Sequence, residues 1–272
     1  MNGIEGKVAI VTGAGRGIGQ AVALGLAEQG AMIVANDLDQ DPLNETLGQI
    51  EAMGGKGVGI AASVGDPEIG KRLADLAIER FGDVHLVFTA AGFTWDGMIH
   101  RMTDDQWQAI IDIHLTGTFR VVRDAFNVMR DNAKVAMDRG ETPVARHIVT
   151  VSSQSGFGNL GQANYAAAKA GIVGLTRTIA LEGAIFNVVA NSVAYGAIDT
   201  RLTRARESQE ERLGEAVLGI PKSRRDEMLG DLPMRRVGTV EEAAGPVIFL
   251  CSDQSNYVSG ALLEINGASH IS

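Results

Sequence analysis

The sequence predicts an α/β fold: a single doubly wound domain, a seven-stranded parallel sheet with helices on both faces. Three observations carry this. Short β-branched runs alternate with longer alanine- and leucine-rich segments along the chain, the pattern of strand–helix–strand units. A glycine-rich turn separates the first such run from the first helical segment, where an open α/β sheet places its ligand crevice. The 272 residues, 45% hydrophobic and 21% charged, suffice for one large domain with a sizeable core.

In chain order, strands are expected at 8–11, 32–36, 56–61, 84–89, 146–152, 188–193 and 262–265. Between them fall helices at 18–29, 42–53, 67–81, 103–130, 165–182 and 240–250. Two stretches read as insertions: 131–145, polar and extending the helix before the fifth strand, and the charge-rich 200–233. The latter is expected to form a helical lid over the cleft, with Leu202, Leu213, Val217, Leu218, Ile220, Met228 and Leu229 on one apolar face.

The net charge of −9 excludes the basic surface that nucleic acids and anionic membranes require. Cys251, the one cysteine, lies in an apolar run and reads as a core residue; the composition fits a reducing cytoplasm. The chain opens without the apolar stretch and small-residue cleavage site of a secretory signal, and no apolar run nears the ~20 residues of a membrane helix. A cytoplasmic protein is expected.

The first strand runs into Thr12-Gly13-Ala14-Gly15-Arg16-Gly17-Ile18-Gly19. Glycines there permit a sharp turn and let backbone N–H groups and a helix N-terminus approach a pyrophosphate, so this turn reads as a dinucleotide site. Asp37, at the end of the second strand, is placed to accept hydrogen bonds from the adenosine ribose hydroxyls and to repel a 2′-phosphate, which points to NAD. Arg16 pulls toward NADP, because a guanidinium receives a 2′-phosphate. Asp37 weighs more, since a carboxylate against a phosphate costs directly whereas an arginine can swing into solvent.

The stretch 150–169 reads as a strand end, a glycine-rich loop and a helix start. Tyr165 and Lys169, four apart on that helix, share a face. A tyrosine titrates near 10, so work as a base at neutral pH needs a neighbouring cation that favours the phenolate; Lys169 is the candidate. A hydroxyl from Ser153 would hold the oxygen of an alcohol or ketone beside Tyr165. No metal is needed for that chemistry.

Over nearly its whole length the chain resembles the short-chain dehydrogenase/reductase superfamily. The family's Thr-Gly-x-x-x-Gly-x-Gly is similar to 12–19, its Asn-Asn-Ala-Gly to Thr89-Ala90-Ala91-Gly92, and its Tyr-x-x-x-Lys to Tyr165 and Lys169. The segments 191–200 and 258–267 resemble its later motifs. The resemblance implies a Rossmann-like domain and an NAD(P)-dependent oxidoreductase that interconverts a secondary alcohol and a ketone. Tyr165 is then the acid–base, Lys169 lowers its pKa and holds the nicotinamide ribose, and Ser153 orients the substrate. Gly13, Gly15, Arg16, Gly17, Ile18 and Gly19 cradle the cofactor, Ser63 and Val64 line the adenine pocket, Ala91 and Gly92 pack beneath, and Ile198 and Thr200 meet the carboxamide. A homotetramer or homodimer, paired through the long helices, is the family expectation.

Four departures stand out. His114 replaces an asparagine that positions a water beside the lysine; a neutral imidazole both donates and accepts, so it either keeps that relay or only packs. The loop before Tyr165 is one residue short: the family glycine selects Ser153, the commonest spacing selects Ser152, and strand alternation aims the two oppositely. Tyr195 stands where the family has proline, either altering the turn, aiming its ring at the cofactor, or filling space. Thr89, Ala90 and Ser63 replace residues that grip adenosine. Two other readings remain: a cofactor-binding regulatory or scaffold protein, and a non-redox enzyme with tightly held NAD.

Overall fold

The computed structural model describes residues 2–208, 212–214 and 216–271. Among these, seven strands form a wholly parallel sheet in the order β3-β2-β1-β4-β5-β6-β9. They are β1 (Val8–Thr12), β2 (Met32–Asp37), β3 (Lys56–Ala61), β4 (Leu86–Thr89), β5 (Arg146–Ser153), β6 (Val188–Tyr195) and β9 (Leu262–Ile265). The helices α1 (Gly17–Glu28), α2 (Gln40–Ala52), α3 (Ile69–Phe81), α4 (Asp104–Ile111), α5 (Gly117–Asp138), α6 (Ala163–Gly183) and α8 (Val240–Leu250) make the crossovers and cover the sheet.

Alternation along β1 explains the layers. Val8 and Ile10 face the cluster built with Leu73, Val121 and Met129 from α3 and α5. Ala9 and Val11 face the opposite cluster, with Val22 and Leu26 of α1 and Val247 and Leu250 of α8. Both faces are covered, as a parallel sheet requires. Cys251 is fully buried in the second cluster, as expected. The strand order reverses at β1, which pairs with β2 on one side and β4 on the other, and this opens a crevice above the carboxyl ends of β1 and β4.

The expected helix at 103–130 is interrupted. A capping box, in which Thr103 and Gln106 satisfy each other's backbone N–H groups, starts α4. The chain then widens into a π-helical turn over Asp112–Thr116 before α5 resumes at Gly117 and runs to Asp138. Such insertions cluster at functional sites.

The segment 200–233 differs from its expected form. Its apolar residues Leu213, Ala216 and Leu218 sit on or beside a short antiparallel hairpin, β7 (Arg212–Leu213) with β8 (Ala216–Val217), and not on a helix. Helix α7 (Lys222–Asp231) follows, and none of its residues is fully buried. Of this segment, residues 209–211 and 215 lie outside the described residues. The hairpin, with Leu202, packs against Phe93, Trp95 and Tyr165, forming a third apolar cluster above the end of the sheet. Helical periodicity was misleading here because alternating charge and leucine also suits a two-stranded flap. Among the described residues no helix is long and apolar enough to cross a membrane.

Candidate active site

A cleft of about 1740 Å³ opens above the crevice and runs from the glycine turn to the lid. Its floor is the β1–α1 turn. Gly13 has φ of 65°, and a Cβ there would sit 2.8 Å from the backbone nitrogen of Ala91, so glycine alone lets this turn approach the segment after β4. Helix α1 starts at Gly17 with no side-chain cap and no acidic residue in its first turn. Its leading N–H groups are therefore open to an anion from the cleft. Across the gap, the Thr200 methyl comes within 3.6 Å of where a Gly17 Cβ would stand.

Asp37, buried at the end of β2, accepts the Gly15 N–H through Oδ2 at 2.8 Å and the Asp39 N–H through Oδ1 at 3.1 Å. Its carboxylate is thus built into the turn. Arg16 Nη2 lies 2.9 Å from Asp39 Oδ2, which draws the guanidinium to the rim. Ser63 Oγ accepts the Gly65 N–H at 3.0 Å, shaping the bend that carries Val64 into the cleft wall. Ile18, Gly19, Ala91, Gly92 and Ile198 also line the cleft. A narrow glycine turn, an uncapped helix N-terminus and a buried carboxylate suit a pyrophosphate, its ribose and an adenine edge; the residues present fit a dinucleotide.

At the far end, β5 delivers two serines. Ser152 is buried and its Oγ donates to the Lys169 carbonyl at 2.9 Å. Ser153, on the other face, accepts the Ser155 N–H at 3.1 Å and lines the same cleft as Tyr165. Strand alternation therefore places Ser153, and not Ser152, beside the tyrosine.

Tyr165 stands in the first turn of α6, fixed by a residue the motif reading passed over. Asn164, fully buried, donates through Nδ2 to the carbonyls of Trp95 at 3.1 Å and Gln106 at 2.9 Å, while its Oδ1 accepts the Tyr165 N–H at 2.8 Å. Lys169 donates to the Val151 carbonyl at 2.7 Å, and its Nζ lies 5.4 Å from the centre of the Tyr165 ring.

Burial dominates the electrostatics of this pair. Burial pushes Tyr165 up to about 12, with the Ser153 hydrogen bond pulling down and Asp96 pushing up; burial also brings Lys169 down to about 7. Desolvation is the largest influence on Tyr165 and favours the neutral phenol.

His114 lies in the π-helical turn, buried, its ring edge-on to Tyr165 at 4.9 Å. Its Nε2 sits against the Phe93 backbone, 2.6 Å from the carbonyl oxygen and 3.2 Å from the N–H. Burial, then the charge of Lys169, holds the ring well below its usual pKa despite that contact. His114 is therefore neutral and anchors the Phe93 segment, and Nδ1 has no partner among the described residues. Tyr195 packs its ring in the core, its hydroxyl donates to the Ala243 carbonyl at 3.1 Å, and the residue borders the cleft.

Known proteins share this layout. The family model for short chain dehydrogenase matches residues 7–211. The chain is 34% identical to the 3-oxoacyl-(acyl-carrier-protein) reductase FabG of Thermotoga maritima over 97% of this chain and 98% of the relative. It is 36% identical to the acetoacetyl-CoA reductase of a Synechocystis species, over 98% of each. A crystal structure from Sinorhizobium meliloti 1021, described as a candidate short-chain alcohol dehydrogenase, superposes with a TM-score of 0.84 at 29% identity, over 97% of this chain and 96% of the other. Motif order, sheet topology and these matches agree, and the chain belongs to the short-chain dehydrogenase family.

Proposed function

We propose that the protein reduces a ketone to a secondary alcohol, and that its substrates are 3-oxoacyl thioesters of the kind named in its relatives. The observation that carries this reading is the geometry of the site: Ser153 at the end of β5 accepts the Ser155 N–H and stands with Tyr165 and Lys169 in one cleft, beside the apolar cluster that includes Phe93 and Leu202. A tyrosine hydroxyl and a serine hydroxyl in one cleft can hold a carbonyl oxygen between them, and the phenol can give it a proton, which is what carbonyl reduction demands.

A nicotinamide dinucleotide bound along the cleft would supply the hydride. The hydroxyls of Ser153 and Tyr165 hold the ketone oxygen and polarise the carbonyl. Tyr165 passes its proton to that oxygen as negative charge develops there. The Lys169 ammonium then stabilises the phenolate left behind, an interaction strengthened by burial. Phe93, Leu202 and Leu213, backed by Trp95 and Leu218, supply an apolar wall for an acyl chain and exclude water.

The dinucleotide is NAD in this reading, with NADP disfavoured, because a 2′-phosphate would meet Asp37 while Arg16 is drawn to Asp39. Leu181 and Ile185, four residues apart and 81% and 69% exposed, support a homodimer or homotetramer paired through α6. The reading places the enzyme in a reducing cytoplasm.

The test is turnover of acetoacetyl thioesters and simple ketones with NADH, in the natural protein and in Tyr165→Phe, alongside dinucleotide binding. Consumption of NADH that collapses in the variant is expected. Tight binding of NADH with no turnover across the panel would instead favour a regulatory protein, and product without change in nicotinamide absorbance a non-redox enzyme.

A further inference from the structure

The turn that follows Ser153 is held by the end of the chain. Gln154 Nε2 donates to the Ser269 carbonyl at 3.1 Å, and Ser269 Oγ donates back to Gln154 Oε1 at 2.8 Å, a two-bond clamp across 115 positions of sequence. Three residues on, the Phe157 ring stacks on His270 with centroids 4.4 Å apart and planes inclined by 14°. The tail is itself braced. His270 Nδ1 lies 2.9 Å from Glu264 Oε2 in β9, and Asn266 Nδ2 donates to the same carboxylate oxygen at 2.9 Å and to the His270 carbonyl at 2.8 Å. Close packing joins the pieces: a Cβ on Gly196 would meet Asn266 Cβ at 2.8 Å and Gln154 Oε1 at 3.1 Å. Gln154 and Ser269 both face the cleft.

We propose that Ser269 and His270 are positioning residues for the reaction. They fix the Gln154–Phe157 turn, and through it the hydroxyl of Ser153, and Ser269 with Gln154 forms part of the cleft wall. The physical reason is the local structure. Ser153 is the last residue of β5, and the four residues after it form a single 3-10 turn, leading into a loop with Gly158 at φ of 115° and Gly161 at φ of 78°. Strand pairing holds Ser153 from one side only. The tail supplies the second restraint, with directional bonds at Gln154 and a flat stacking surface at Phe157. Since displacement of a reacting group by about 1 Å can cost about 100-fold in rate, a restraint at the neighbouring residue has leverage on turnover.

The inference rests on Ser153 meeting the substrate oxygen, and the experiment separates the two. Ser269→Ala, His270→Ala and His270→Phe are made in the natural protein and in a Ser153→Ala background; kcat, KM and NADH affinity are measured for each. Ser269→Ala and His270→Ala are expected to lower kcat by about 10-fold with NADH affinity unchanged. His270→Phe, which keeps the stack, is expected to restore most of that loss. In the Ser153→Ala background the tail variants should cost little more, because the group they position is gone. An unchanged kcat in both tail variants, a parallel loss of NADH affinity, or an equal fold-loss with and without Ser153 would each overturn the proposal. Full activity of Ser153→Ala alone would overturn the serine's role instead.

Discussion

The Ser152 hydroxyl donates to the main-chain carbonyl of Lys169 at 2.9 Å, tying the end of β5 to α6 at the residue whose ammonium serves the site. This bond gives neighbouring serines different tasks. Ser152→Ala is expected to keep most activity and to cost about 1 kcal/mol of stability, the worth of one buried hydrogen bond. Ser153→Ala is expected to lose about 100-fold or more in kcat with little change in stability. Denaturant melts and kinetics on the pair check this; the reverse pattern would reassign the roles.

Tyr165→Phe should reduce turnover by about 100- to 10,000-fold while dinucleotide binding persists. Lys169 adds a pH signature. With its amine brought down to about 7, it is charged below that pH and neutral above it. Reduction needs the charged form to hold the phenolate, so kcat/KM in the reductive direction should fall as pH rises through about 7. Lys169→Arg, whose guanidinium stays charged, should flatten that limb even if its overall rate is lower. A limb that survives in the arginine variant belongs to another group.

Asp37 sets the choice of dinucleotide in the proposed reading. Asp37→Ala removes the carboxylate that would repel a 2′-phosphate, and should raise the NADP-to-NAD ratio of kcat/KM by about 10-fold or more. It also removes an acceptor from the Gly15 N–H, so some loss of NAD affinity is expected with it. No gain in NADP use would count against the assignment.

His114 is neutral in the fold, held there by burial and by the charge of Lys169. Protonation of this ring should therefore leave no limb in kcat/KM between about pH 5 and 8. His114→Asn should keep the shape of the pH profile. His114→Ala removes the ring that holds the Phe93 backbone and should lower kcat through the displaced wall. A limb near neutral pH that vanishes in the asparagine variant would show instead that the ring carries protons.

The opposite end of the sheet predicts acid sensitivity. Burial brings both His85 and His147 down to about 4, so these bases stay neutral in the fold but take up protons in the unfolded chain as pH drops below 6.5. Their contribution to stability is fully present above 6.5 and is lost as pH falls toward 4, by up to roughly 2 kcal/mol each at pH 5. Asp83 adds to the loss at still lower pH: burial raises it, but the hydrogen bonds and charge of Arg146 win, and its net lowered pKa makes its contribution disappear only on strong acidification. Urea denaturation at neutral pH and near pH 5 measures the difference; equal midpoints would show that the histidines are accessible in the fold.

The fold was legible in the sequence because a parallel sheet is written in local patterns. Short β-branched runs, the glycine turn after 8–11 and helical segments between strands are each visible within about a dozen residues. The glycine turn, Asp37 and the Tyr165–Lys169 pair were legible for the same reason, since a turn or one helix face fixes their geometry. What depended on partners distant in sequence was decided by the tertiary structure. The choice between Ser152 and Ser153 turns on a carbonyl of α6, the pKa of Tyr165 on its burial, and the neutrality of His114 on its burial and the nearby charge of Lys169. Asn164 and the tail clamp had no signal in spacing, because one carboxamide and one serine–glutamine pair look like ordinary surface residues until the fold encloses them. The lid is helical only in part: Met228 and Leu229 lie on α7 as periodicity expects, whereas Leu213 and Val217 fall in a hairpin next to the apolar cluster above the sheet.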